Sequence, residues 1–122
     1  MINNAKVKVI ANRLLATMQL TIGETTALIF TEGWPLTPCK VMVKVHGVNA
    51  SGEYVVSGKA KNGFDTVWVL ALDGQVRAEN QSCKNVEAAV AYALANTHYW
   101  DNPDSNKSFY LRHRGDATWK VA

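Results

Sequence analysis

Between residues 40 and 81 the chain runs through apolar segments punctuated by glycine-containing turns, and nothing else in its 122 residues restricts the fold as much. In "KVMVKVHG", Val41, Val43 and Val45 point one way while Lys40, Met42, Lys44 and His46 point the other. That period of two belongs to a strand with one buried face. The segment is followed by "NASG", a second run over 53–61 by Asn62-Gly63, a third over 64–72 by Asp73-Gly74, and a fourth covers about 75–81. Asn-Gly and Asp-Gly favour the hairpin turn with two positive φ values, whose twist matches that of its strands. An antiparallel meander is the expected result.

The flanks add helices. Residues 5–20 bring Val7, Ile10, Leu14 and Met18 to one side of a helical wheel, with Asn3 or Asn4 able to cap the start and Gly23 placed to end it. Because "KVKVIA" also alternates, a strand at the very beginning is the alternative. "ETTALIFT", residues 24–31, is short and β-branched and reads as a strand, with one more helical turn as its alternative. "EGWPLTP" interrupts regular structure, since Pro35 and Pro38 each lack a backbone donor. After Ser82 the period becomes helical: Val86, Ala89, Val90, Ala93 and Leu94 form an alanine-rich stripe, predicting a second helix over about 84–97. "DNPDSN" at 101–106 reads as a loop, and "SFYLRHR" with "ATWKVA" as a final hairpin. The fold class is α+β: an antiparallel β-meander sheet of about 5–6 strands with two amphipathic helices packed on its apolar face. Residues 1–122 form a single domain in this reading, and 48% hydrophobic with 19% charged residues suits a packed core rather than disorder.

No apolar run reaches the roughly 18 residues of a membrane helix, and Lys6, Lys8 and Arg13 interrupt any secretory signal. A cytoplasmic protein with no membrane partner is expected, in which Cys39 and Cys83 are reduced thiols. Strand 64–72 is apolar on both sides, so either something covers it or it joins two chains; free strand edges add to the second idea and point to a homodimer.

Alternation then assigns a wet face, which the helices leave bare. Lys40, Lys44, His46, Ser57, Lys59, Lys61, Gln75, Arg77, Tyr110, Arg112 and Arg114 fall on it, seven of them among the 13 basic residues. A cationic sheet with an aromatic can neutralise phosphates and stack an unpaired base. The net charge of +3 leans the same way. The first functional expectation is therefore a non-enzymatic binding module whose basic face, through Lys40, Lys44, His46, Lys59, Lys61, Arg77, Tyr110, Arg112 and Arg114, engages an anionic partner. Nucleic acid leads, with an acidic protein or ligand second. Against it stands the ordinary solvated face of an antiparallel sheet.

A second expectation is a small-molecule pocket between the alanine-rich helix and an aromatic group of Trp34, His98, Tyr99, Trp100 and Trp119. A third is a cysteine enzyme, because Cys83 precedes Lys84 at a helix start, where thiolate is favoured. Cys39, His46, Cys83, His98 and His113 show no metal-ligand spacing, and "GKAKNG" lacks the ending of a phosphate-binding loop. No catalytic residue, metal or cofactor is assigned.

Overall fold

The computed structural model describes residues 19–81, 83–99 and 109–122. The loop at 101–106 and the helix expected over 5–20 lie outside them, apart from Gln19 and Leu20, which are not helical. Seven strands form one antiparallel sheet: β1 (Thr25–Glu32), β2 (Thr37–Val48), β3 (Tyr54–Lys59), β4 (Asp65–Leu70), β5 (Val76–Asn80), β6 (Arg112–His113) and β7 (Thr118–Val121). A helix, α1 (Val86–Ala95), follows β5. The α+β class and the meander match the alternation. The sheet is larger than expected, and the described residues hold one helix rather than two; it is too short to cross a membrane.

The three meander hairpins share one turn. Asn49 N–H bonds to Glu53 O, Ala60 N–H to Phe64 O and Ala71 N–H to Gln75 O, while Gly52, Gly63 and Gly74 each bond back to the first residue. Gly63 (φ 84°) and Gly74 (φ 96°) are left-handed, but no described non-glycine residue has a positive φ. Each loop is thus a three-residue turn ending in a glycine bulge, not the two-residue turn that the dipeptides suggest. Asn62 and Asp73 explain the preference, because their side-chain oxygens accept the N–H groups of Phe64 and Gln75, both at 2.9 Å.

Pro38 does not break the sheet as expected. It lies within β2 opposite Thr31, and β3 pairs with β2 only from Val43 onward, so one side of β2 is open there and a missing donor breaks no ladder bond. The final hairpin is also corrected. The strand order β6-β5-β4-β3-β2-β1-β7 puts β6 and β7 at opposite ends. Between them the chain crosses from β5 to β1: Arg114 N–H bonds to Arg77 O, Val76 N–H to Ala117 O and Trp119 N–H to Gly74 O. This crossing satisfies edge groups and curls the sheet until its ends meet.

Curling produces two cores on the two faces of one sheet. Inside lie Leu28, Phe30, Val41, Val43, Val45, Tyr54, Val56, Trp68, Leu70, Val76, Ala117 and Trp119. Outside, Val55, Val67, Val69 and Ala78 pack against Ala89, Val90 and Ala93 of α1, with Tyr99 and Leu111. Asn85 caps the helix by accepting Ala88 N–H at 3.1 Å. Its small side chains allow close approach; a Cβ added at Gly47 would stand 3.0 Å from Leu94 Cδ2. Both faces of β4 are therefore covered within the chain, the outer by α1 and the inner by the curl, which accounts for its two apolar sides without a second copy.

This reverses the expected layering. Lys44 lies beside Ser57, which lies beside Val67 under the helix, so the lysines of β2 share the helix-covered face. The apolar face of β2 is covered by the sheet itself.

Candidate functional site

The inner core does not fill the curl completely. Where the β1–β2 and β3–β4 connections meet, a cavity of about 340 Å³ opens between Phe30, Glu32, Trp34, Cys39, Lys61 and Trp68, among others. An adjoining hollow of about 290 Å³ shares Glu32, Ala60, Lys61 and Trp68 and adds Asn62, Thr66, Glu79 and Gln81. Together they form one mouth. Its floor is a stack of Phe30 from β1 on Trp68 from β4, with ring centroids 4.5 Å apart and planes at 20°. Two strands, β2 and β3, separate these partners in the sheet order, so the rings meet only because the sheet wraps. The rim carries Trp34, which is 97% exposed and is followed by a cis peptide bond to Pro35.

One wall is charged. The Arg114 guanidinium, only 15% exposed, meets Glu79 in a close ion pair, Glu32 at 3.4 Å and Asp116 at 2.9 Å. Glu79 is 1% exposed and also accepts Gln81 Nε2 at 2.8 Å. Burial pushes the Glu79 carboxyl above its ordinary value, and the pull of Arg114 does not fully offset this. Burial also opposes the charge on Arg114, but its three carboxylate partners outweigh burial and hold it protonated. Glu32 alone among these carboxylates lines both hollows while keeping a partly exposed side chain (38%).

The sequence-predicted basic residues do not converge. Lys40, Lys44 and Lys59 are exposed on the outer face, and Lys59 pairs with Asp65 at 3.2 Å. His46 Nε2 lies 2.6 Å from Ser57 Oγ, and burial, then Lys44, lowers its pKa. Lys61 sits on the β3–β4 turn at the mouth. Arg77 faces Glu53 at 3.7 Å, Arg112 is exposed on β6, and Arg114 points into the charged wall. Tyr110 is half-buried between Tyr92 and Phe109, at centroid distances of 5.2 and 4.7 Å.

The aromatic group expected beside the helix is dispersed too. Trp34 is at the rim, Trp119 is buried in the inner core with Nε1 donating to Ala71 O at 2.7 Å, and Tyr99 is buried in the outer core with its hydroxyl donating to Asn96 O. His98 is exposed, and Trp100 lies outside the described residues. Cys83 is buried, and burial raises its thiol pKa, opposite to the effect expected of a helix start. Both cysteines are free thiols. Among the described residues, no group of three or more His, Cys, Asp and Glu is placed to hold a metal ion.

Sequence reading overlooked Phe30, Glu32, Trp68 and Glu79. A signal existed for Glu32 and Glu79, both charged residues near the ends of apolar strands, but the parity of Glu79 is inverted by a bulge. The β4–β5 register shifts between Val69 and Leu70, so Glu79 lies opposite Trp68 on the inner face. Compared with known proteins, the chain matches no family model, no curated protein and no solved structure.

Proposed function

We propose that this chain is a binding module that takes a small amphipathic molecule into the mouth of its curled sheet. One observation carries the reading: an aromatic floor, an exposed tryptophan rim and a charged wall converge on a single opening. Ligand sites combine a concave apolar lining with a few placed polar groups and range from about 300 to 1,000 Å³. The ligand's apolar body rests on Phe30 and Trp68 and is overhung by Trp34, and its polar end meets Glu32, Asn62 or Gln81. A panel of small amphiphiles titrated against tryptophan emission tests this. Ligands should shift the emission of solvent-exposed Trp34 to the blue, and the shift should vanish in Trp34→Phe. A panel that leaves both the emission and the Glu32, Lys61 and Trp68 amide resonances unmoved at millimolar concentration rejects the reading.

The expected anionic partner, with nucleic acid first, rests on a separate observation. Lys40 and Lys44 stand exposed on the outer face of β2 beside the half-exposed Met42. Titration of single-stranded and duplex oligonucleotides at two salt concentrations examines it. Phosphate contacts would make affinity fall steeply with salt, and an absence of binding at low salt would end that reading.

A further inference from the structure

We propose that the ligand of this mouth carries a quaternary or alkylated ammonium group, seated against Phe30, Trp34 and Trp68 with its charge balanced by Glu32. The inference rests on the pocket reading above and adds the sign and chemistry of the ligand's polar end.

Charge supplies the first argument. Arg114 is a single cation among three carboxylates, those of Glu32, Glu79 and Asp116. The carboxylates that line the hollows, Glu32 and Glu79, outnumber Lys61, the described cation that lines them. The guanidinium is spent behind Glu32 and does not line either hollow, and the basic residue that does, among the described residues, is Lys61, on an exposed turn at the rim. An anionic ligand would thus gain Lys61 at the rim but meet Glu32 on the wall.

Aromatic placement supplies the second. Ring faces carry the negative end of the aromatic quadrupole, and cations within about 6 Å of a ring centroid are attracted to it, tryptophan being the strongest partner. Two indoles and a phenyl ring border the cavity. A bare ammonium would have to exchange its strong hydration for hydrogen bonds, which the mainly apolar lining of the larger cavity offers at few described side chains, chiefly Glu32. An alkylated ammonium avoids that cost, because its methyl or methylene shell packs on carbon while its charge is felt through it. The dimensions agree: such a headgroup fits easily within about 340 Å³.

The test uses choline, its neutral carbon isostere 3,3-dimethylbutan-1-ol, and the anion 3,3-dimethylbutanoate, each titrated against tryptophan emission and amide shifts. Choline should bind on the order of ten-fold tighter than the alcohol, and the anion should bind weakest. Glu32→Gln should remove most of the preference for choline over the alcohol. Lys61→Gln should strengthen choline two- to three-fold, about what removing one exposed like charge provides, and leave the alcohol unchanged. Trp34→Ala should weaken choline and the alcohol together, choline more. If the alcohol binds as well as choline, the ammonium inference is overturned while the pocket stands. If choline fails to bind at tens of millimolar but other amphiphiles bind, the inference falls alone. A choline-to-alcohol ratio unmoved by both Glu32→Gln and Lys61→Gln would also overturn it, since two independent charges would then have no effect.

Discussion

The two faces of one sheet are closed in opposite ways, and the contrast explains why a cavity opens on the inner one. Over β3 and β4 the outer face is sealed by α1 with small residues, Val55, Val67 and Val69 against Ala89 and Ala93, which fit closely and leave little room. The inner face must fill the space enclosed by its own curl, and it does so with Phe30, Tyr54, Trp68 and Trp119. Tyr54 and Trp119 meet edge to face at 6.3 Å, and Phe30 stacks on Trp68. Large rings reach across a curl but tile its open end poorly. The cavity lies where that filling stops.

If rings hold the curl together, the largest effect belongs to Trp119. Trp119→Ala should cost about 3–5 kcal/mol, since the indole is buried and Ala71 O loses its Nε1 donor. Val69→Ala, equally buried on the outer face, should cost about half as much. Urea unfolding midpoints compare them. Equal costs would contradict the idea that the inner core depends on its large side chains.

Overfilling sharpens the same contrast. Ala93→Leu enlarges a fully buried residue in the sealed layer and should cost about 1–3 kcal/mol. Cys39→Leu adds volume beside the cavity and should change stability by less than about 0.5 kcal/mol. Should both substitutions destabilise alike, the mouth would be packed rather than open.

Much of this architecture could be read from the sequence because period-two alternation assigns faces directly. The four meander strands follow from it, the strand at 24–31 follows from its β-branched residues and the helix near 84–97 from its helical period, and Asn62-Gly63 and Asp73-Gly74 place the turns of the meander. What covers each face could not be read. An apolar face looks the same in sequence whether a helix or the sheet's own curvature buries it, and the curl depends on the pairing of 114–119 with β5 and β1, far apart along the chain. The site suffered from the same limit. Its residues come from β1, β2, β4, β5 and two turns, and one register shift near Leu70 suffices to carry Glu79 inward while Arg77 turns to Glu53. That bulge leaves no mark in the hydrophobic pattern.

The two faces should also respond oppositely to pH. Glu79, on the inner wall, has a raised pKa in the fold, so the folded state binds its proton more tightly than the unfolded chain does. Its contribution is intact below the ordinary glutamate value of about 4.3 and is lost as pH rises through the raised value. His46, on the outer face, has a lowered pKa, so the unfolded chain binds its proton more tightly. Its contribution is intact above about 6.5 and declines as pH falls below that. Glu79→Gln should flatten the loss of stability above the glutamate range, and His46→Gln should flatten the loss just below neutrality. Urea midpoints between pH 4 and 8 measure both slopes. A wild-type curve that is flat across both windows would mean that neither group is held differently by the fold.

A small stability effect should fall on Trp34, on which the proposed binding depends. Trp34 is 97% exposed at the rim, so truncating it removes almost no buried area, and Trp34→Ala should change stability by no more than about 0.5 kcal/mol. Trp119→Ala, the same chemical change in the inner core, should cost several times that. The pair therefore separates the two uses of tryptophan in this chain, one as filling for the curl and the other as a surface whose contacts form only with a ligand. An exposed indole that contributes nothing to folding still carries a large apolar area, and a bound molecule that covers it gains what the empty fold does not. Binding of an amphiphile to Trp34→Ala should then weaken on the order of ten-fold while the urea midpoint stays put. If the variant instead unfolds early, Trp34 belongs to the core it only borders, and the division between the sealed outer layer and the open inner mouth would have to be redrawn.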